Sequence, residues 1–465
     1  VATIGPACDD SSDLVAMVAA GMDVARLPLA HDDQASVLAR LARVRQAADQ
    51  TGRYVATMVD LPGPKLRLAR IDDEAVLSTD SVWRLIPGGP SRPDDLQLGI
   101  ELPEGTADAL VPGTRLALGD GGVVLELTGR DGEAITAITR SPGRLRGRPG
   151  LHIPSTLVDQ ISPTPADLAD AAAFAAAGVD AIAVSFVRRG RDIEAIRAVA
   201  PDVLCVAKIE TVDAVTYLDE IIAVSDAVMV ARGDLGLEFP LEEVPFLQKR
   251  IINAAIAAGR PAITATQMLE SMITSRIPTR AEASDVANAV LDGSSAVMLS
   301  AETAVGDDPL NALVTLARLA GRADAMVTPR AHDIVAALGL DIPAARTTHA
   351  VSQAACRVAD EIGADVIICL TESGFTARAV ARFRPRPAII AVTGSDRSAR
   401  RLAFSWGVTP VVASALDVDT ALDAARDAGA VAAGNIAVVV FGAPGSRATD
   451  SLGVRVVSAP EPGRR

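Results

Sequence analysis

The chain has 465 residues, of which 49% are hydrophobic and 22% charged, and carries a formal net charge of −14. That length exceeds one ordinary core and predicts two or three globular domains, and the hydrophobic content excludes a chain that is disordered over most of its length. The acidity argues against a nucleic-acid or anionic-membrane surface and leaves a local basic pocket for a phosphorylated metabolite as the compatible partner chemistry.

Short apolar runs alternate with Ala/Leu-rich helical stretches from the first residue onward. The strand-like runs fall at 1–4, 23–27, 54–60, 181–185, 203–208, 227–231, 262–265 and 296–299. Eight such units joined by helices predict a (β/α)8 barrel, and the first run is expected to be incomplete because the given sequence opens inside it. Residues 67–152 break the alternation: they lack a helical period and carry turn signals at Asp120-Gly121-Gly122 and Asp131-Gly132. They are expected to form a small all-β insertion able to act as a lid. From about residue 329 strand candidates at 366–370, 388–393, 409–412 and 436–441 predict a separate open α/β sheet, and the tail 458–465 is expected to fray. The expected division is therefore barrel 1–66 and 153–328, insertion 67–152, and C-terminal α/β regulatory domain 329–465. Four cysteines show neither CxxC spacing nor a disulfide framework, and no signal peptide or membrane-length apolar stretch is visible, which fits a reducing cytoplasm.

Polar residues gather after the strands: Arg26, Asp60, Ser185, Lys208 with Glu210, Asp234, Thr266, and Ser300 with Glu302. In a barrel these positions converge on one mouth. Lysine is rare, with only Lys65, Lys208 and Lys249 among 44 basic residues, so a retained lysine points to a need for a compact point charge. Lys208 and Glu210 are two apart on a strand and share a face; alone, such a pair would usually be a solvated strand edge. The run Ala227-Val-Met-Val-Ala-Arg-Gly-Asp234 adds a second carboxylate and, at Gly233, backbone N–H groups for an anion. Carboxylates from two strands suit Mg2+ or Mn2+, with the remaining positions left to substrate and water.

The ordered series Thr3-Ile-Gly-Pro-Ala, Gly21-Met-Asp-Val-Ala-Arg-Leu27, Asp60-Leu-Pro-Gly-Pro-Lys-Leu-Arg67, Ala231-Arg-Gly-Asp-Leu-Gly236, Thr264-Ala-Thr-Gln-Met268, Pro278-Thr-Arg-Ala-Glu282, Met298-Leu-Ser-Ala-Glu-Thr303 and Thr371-Glu-Ser-Gly374 resembles the pyruvate kinases over nearly the whole chain. The resemblance implies transfer of the phosphoryl group of phosphoenolpyruvate to ADP in glycolysis, giving pyruvate and ATP, by a cytoplasmic homotetramer. By it, Lys208 stabilises the phosphoryl group in flight and the enolate left behind, and Glu210 and Asp234 hold Mg2+. Arg26 and Arg67 match positions that grip phosphate. Gly233, Asp234 and Thr266 line the substrate site, and Thr266, with Ser300 and Glu302, belongs to the proton path. His31, Arg67 and Arg148 fall to the nucleotide.

Departures from the family pattern also carry expectations. Positions that hold K+ in many members read Pro28, Ala30, Asp60, Leu61 and Lys65, so the Lys65 ammonium is expected to replace the ion and K+ to be dispensable. Pro28 and Pro149 stand where contacts to nucleotide are expected. In the last domain Thr371, Glu372, Ser373, Gly374 and Thr376 form either a phosphorylated-effector site, as in the family, or an ordinary helix N-cap. Two rivals remain at this level: a Mg2+-enolate aldolase or lyase on a similar barrel, and a weakly active regulatory paralogue.

Overall fold

The structure, a computed structural model, describes residues 1–30, 32–103, 105–119, 121–158, 161–327, 343–442 and 448–459. Parallel strands Ala2–Thr3, Val24–Pro28, Ala56–Asp60, Ala181–Val184, Leu204–Ile209, Ala227–Ala231, Ala262–Ala265 and Ala296–Val297 pair in sequence order. A parallel bridge between Ala2 and Leu299 closes them into a barrel. The strands are apolar on both faces because both faces are covered. Ala25, Leu27, Val59, Ile182, Val228 and Val230 pack outward under the helices, while Val24, Met58, Ala183, Val206, Met229 and Ile263 fill the interior. Local chemistry starts the helices between them: Asp10 and Asp33 accept backbone N–H groups ahead of Ser11–Ala19 and Gln34–Thr51, and Thr164 and Thr279 form reciprocal capping boxes with Asp167 and Glu282.

After the third strand the chain leaves the barrel and returns at helix Pro165–Ala176. The excursion builds a six-stranded sheet and a two-stranded ribbon, with the hairpin Val123–Asp131/Ala134–Ser141 turning at Asp131-Gly132, around Trp83, Leu98, Leu125 and Ile135. One helical turn, Thr106–Ala109, interrupts its β character.

The last sheet runs Val408–Val412, Ala388–Thr393, Val366–Leu370, Ile436–Phe441, Ser451–Val456. Alternate residues face two separate cores, Ile367, Cys369 and Val438 on one side and Val366, Ile368 and Val439 on the other. The antiparallel edge strand Ser451–Val456 was not expected; Gly453 and Arg455 interrupt its apolar period. Of the expected frayed tail, residues 460–465 lie outside the described residues.

This domain docks on the N-terminal end of the barrel. Phe404 joins the cluster that fills the barrel interior. Asp180, wholly buried, accepts Arg45 of the barrel at 2.5 Å and Arg400 of the last domain at 3.0 Å. Arg384, 4% exposed, donates to the carbonyls of Val290 and Ser294 at 3.0 and 2.6 Å.

Candidate active site

Lys208 occupies the fifth barrel strand, and its ammonium reaches across to neighbouring strands. It donates to Ser185 Oγ at 2.7 Å and stands 3.5 Å from Asp60 Oδ1 and 3.4 Å from Glu210 Oε2. Burial alone would discharge it, but Asp60, Glu210 and Asp234 outweigh that cost and raise its proton affinity above that of an ordinary lysine. Arg26, on the second strand, donates to Asp60 Oδ2 at 2.7 Å and to Thr3 Oγ1 at 3.0 Å. Burial pushes Asp60 up; the charges of Lys208 and Arg26 win and hold it below the ordinary carboxylate value. Two cations from two strands thus share one buried carboxylate at the end of a third.

Glu210 is 2% exposed. Its Oε1 accepts the Phe186 N–H at 2.6 Å, whereas Oε2 is buried with no hydrogen-bond partner. Phe186 adopts φ +55 to aim that amide, and its ring lies where a Cβ on Gly63 would meet it at 2.8 Å, so the Gly-Pro turn after the third strand is glycine by necessity. Burial and the Asp234 charge push the Glu210 carboxyl up to about 7 against the pull of Lys208. An unsatisfied buried carboxylate oxygen, with a second carboxylate close enough to raise its proton affinity, suits a hard divalent cation. Among the described residues no group of three or more His, Cys, Asp or Glu is arranged to hold a metal ion by itself.

Thr266, at the end of the seventh strand, has φ +66, and Gln267 follows at +55. Its hydroxyl donates to the Ala265 carbonyl at 2.7 Å and accepts the Gly233 N–H at 2.9 Å. The Gly233 amide, expected to face an anion, is therefore engaged by Thr266. Glu302 is held by backbone: its two oxygens accept the N–H groups of Leu269 at 3.1 Å and Ser300 at 2.7 Å, and so brace the loops after the seventh and eighth strands. Ser300 Oγ is buried without a hydrogen-bond partner. Arg232, to which no role was assigned, bonds Asp285 and the Thr266 carbonyl. An arginine directly after an all-apolar strand was the signal for it.

On the insertion side, Arg67 donates to the carbonyls of Arg148 and Ala30, at 3.1 and 3.5 Å, and so bridges insertion and barrel. Arg148, expected at the nucleotide, pairs with both oxygens of Glu101 at the surface, at 2.8 and 2.7 Å. His31 lies outside the described residues. Lys65 is exposed, with its side-chain end beside Gly150 and its charge felt by His152. It is Arg26 and Lys208, not Lys65, that neutralise Asp60. Leu61, in the expected cation set, is fully buried and apolar.

In the last domain Thr371 and Thr376 are buried, and Thr376 Oγ1 shares a hydrogen bond with Thr449 Oγ1 at 2.9 Å. Glu372 and Ser373 are exposed. Gly374 has φ +83 at the start of helix Phe375–Ala381.

Comparison with known proteins agrees with this geometry. The family profile "Pyruvate kinase, barrel domain" matches residues 1–313, and "Pyruvate kinase, alpha/beta domain" matches residues 349–455. The chain is 41% identical to a pyruvate kinase of Methylorubrum extorquens over 90% of this chain and 87% of that protein. It is 39% identical to one of Agrobacterium vitis over 99% and 98%, and 38% identical to one of Geobacillus stearothermophilus over 98% and 80%. With both domains matched and nearly the whole length covered, the chain belongs to the pyruvate kinase family.

Proposed function

We propose that the buried constellation of Arg26, Asp60, Ser185, Lys208 and Glu210 is the phosphoryl-transfer centre through which this enzyme converts phosphoenolpyruvate and ADP into pyruvate and ATP. The observation that carries this reading is the charge-stabilised Lys208 beside a carboxylate oxygen, Glu210 Oε2, that is buried and unsatisfied. Glu210 and Asp234 would hold Mg2+, which when bound supplies Lewis-acid neutralisation of phosphoryl and enolate oxygens. The remaining work falls to the chain. Lys208, fixed by Ser185 and Asp60, presents a positive charge that needs no reorganisation as negative charge moves off the phosphoryl group. Arg26, itself fixed by Asp60 and Thr3, turns its remaining donors to phosphate. Thr266 belongs to the path that delivers a proton to the enolate carbon, with Ser300 nearby in the eighth-strand loop.

K+ is dispensable in this reading, because Pro28, Ala30 and Leu61 offer no side-chain oxygen and both Asp60 oxygens already face cations. The loop of Thr371, Glu372, Ser373, Gly374 and Thr376 is read as the site of a phosphorylated effector, supported by the exposed Ser373 hydroxyl beside the Gly374 turn at a helix start. Membership of the family supports a homotetramer. No helix among the described residues is long and apolar enough to cross a membrane.

The test is pyruvate formation from phosphoenolpyruvate with each nucleoside diphosphate, across a Mg2+ titration, in wild type, Glu210→Gln and Asp234→Ala. Both variants should need at least about tenfold more Mg2+ for half-maximal rate; an unchanged Mg2+ requirement would remove that residue from the metal site.

A further inference from the structure

Arg232 follows the all-buried strand Ala227–Ala231 and is itself only 10% exposed. Its guanidinium grips on two sides. On one, Nη1 donates to both carboxylate oxygens of Asp285, at 2.7 and 2.6 Å, and Asp285 is carried by helix Arg280–Asp292. On the other, Nη2 donates to the Thr266 carbonyl at 2.6 Å and Nε to the Ala265 carbonyl at 3.3 Å. The next residue, Gly233, donates its N–H to the Thr266 hydroxyl. One dipeptide therefore holds Thr266 by its carbonyl and by its side chain.

Thr266 requires such a hold. A branched side chain at φ +66 crowds its own backbone, and a residue stays there only where its surroundings over-determine the conformation. The guanidinium's bonds to the Ala265 and Thr266 carbonyls, with the Gly233 N–H on the hydroxyl, supply that over-determination. Lysine cannot do the same work, since a point charge does not span a carboxylate and two carbonyls in fixed directions.

We propose that Arg232, oriented by Asp285, is a positioning residue that keeps Thr266 in its left-handed conformation and its hydroxyl at the place where the enolate is protonated. This rests on the reading of Thr266 as part of the proton path. Protonation forms a C–H bond at the enolate carbon and breaks an O–H bond in the donor path, whose proton solvent restores. Run backwards, it is exchange of the pyruvate methyl hydrogens with solvent.

That exchange is measured directly as deuterium entering the methyl group from D2O, followed by proton NMR with the full chain, Mg2+, ATP and pyruvate. Thr266→Ala should slow exchange by about 100-fold, and Arg232→Lys and Asp285→Asn by about 10-fold or more. The KM for phosphoenolpyruvate in the forward assay should stay within about threefold in both positioning variants. The Thr266→Ala/Arg232→Lys double variant should be no slower than Thr266→Ala alone, because the arginine acts through the threonine. Additive losses, or unchanged exchange in Arg232→Lys and Asp285→Asn beside an impaired Thr266→Ala, overturn the positioning role alone. Unchanged exchange in Thr266→Ala removes the threonine from the proton path and the proposal with it. Circular dichroism checks the fold, and if Arg232→Lys does not fold, Asp285→Asn, which keeps an oxygen for the guanidinium, is paired with Thr266→Ala in the same cycle.

Discussion

Replacing Lys208 by Met removes the ammonium while keeping most of its volume. Asp60 retains Arg26 at 2.7 Å and stays ionised. Glu210 is left without its nearest cation, and its carboxyl, already pushed up to about 7 by burial and Asp234, must rise further. A carboxyl whose folded value lies above its ordinary one contributes stability that is complete below the ordinary value and is lost as pH rises through the folded value. At pH 6 Glu210 is therefore mostly protonated in both folded proteins and adds almost nothing to their difference. At pH 8 the wild-type carboxyl has largely ionised beside Lys208, whereas the variant must either ionise without that cation or stay protonated. The variant is therefore destabilised more at pH 8 than at pH 6, by on the order of 1 kcal/mol for each pK unit by which its carboxyl rises. The lost ammonium is charged at both pH values and adds the same offset to each. The assay is urea denaturation of both proteins at pH 6 and pH 8 with EDTA present, read as a difference of differences. Turnover should meanwhile fall by about 100-fold or more. Equal destabilisation at the two pH values, or turnover within tenfold of wild type, would refute the charge arrangement deduced for this site.

Turnover in buffer free of K+ and NH4+, with an organic counter-ion, should stay within a few-fold of that at high KCl, and strong K+ activation would mean that oxygens other than those of Asp60 bind a cation. Burial pushes the Cys8 and Cys205 thiols up to about 11 and Cys356 up to about 12, and Cys369 is raised as well. All four should therefore stay protonated at pH 8: an aromatic disulfide reagent should label fewer than one thiol in the native protein and four in urea, and rapid native labelling of any one would show that its burial is misread.

The barrel could be read in the sequence because most strands are short apolar runs with a polar residue near their C-terminal end, and the pairing order merely repeats the order along the chain. Lys208 and Glu210 stood out for the same reason, as charges at the end of an otherwise aliphatic strand. What stayed hidden were pairings between distant residues. Nothing local links Arg232 to Asp285, 53 positions on, or Arg148 to Glu101, and only the folded insertion reveals that the latter pair takes up the guanidinium. The bracing contacts of Glu302 were hidden in the same way, because sequence shows a carboxylate but not the two backbone amides that occupy its oxygens. That Asp60 is already flanked by Arg26 and Lys208, arriving from other strands, was likewise not visible in the sequence.

Phe404 shows that the barrel interior is completed by a side chain from the other domain. The strands close at Leu299, more than a hundred residues earlier in the chain. At a synthesis rate of about 5–20 residues per second, the ribosome needs roughly 5 to 20 seconds to deliver that stopper after the last strand has emerged. For that interval Met58, Met229 and Met298 lie under an open floor, which makes the base of the barrel, at the end away from the catalytic mouth, the surface a nascent-chain chaperone would meet.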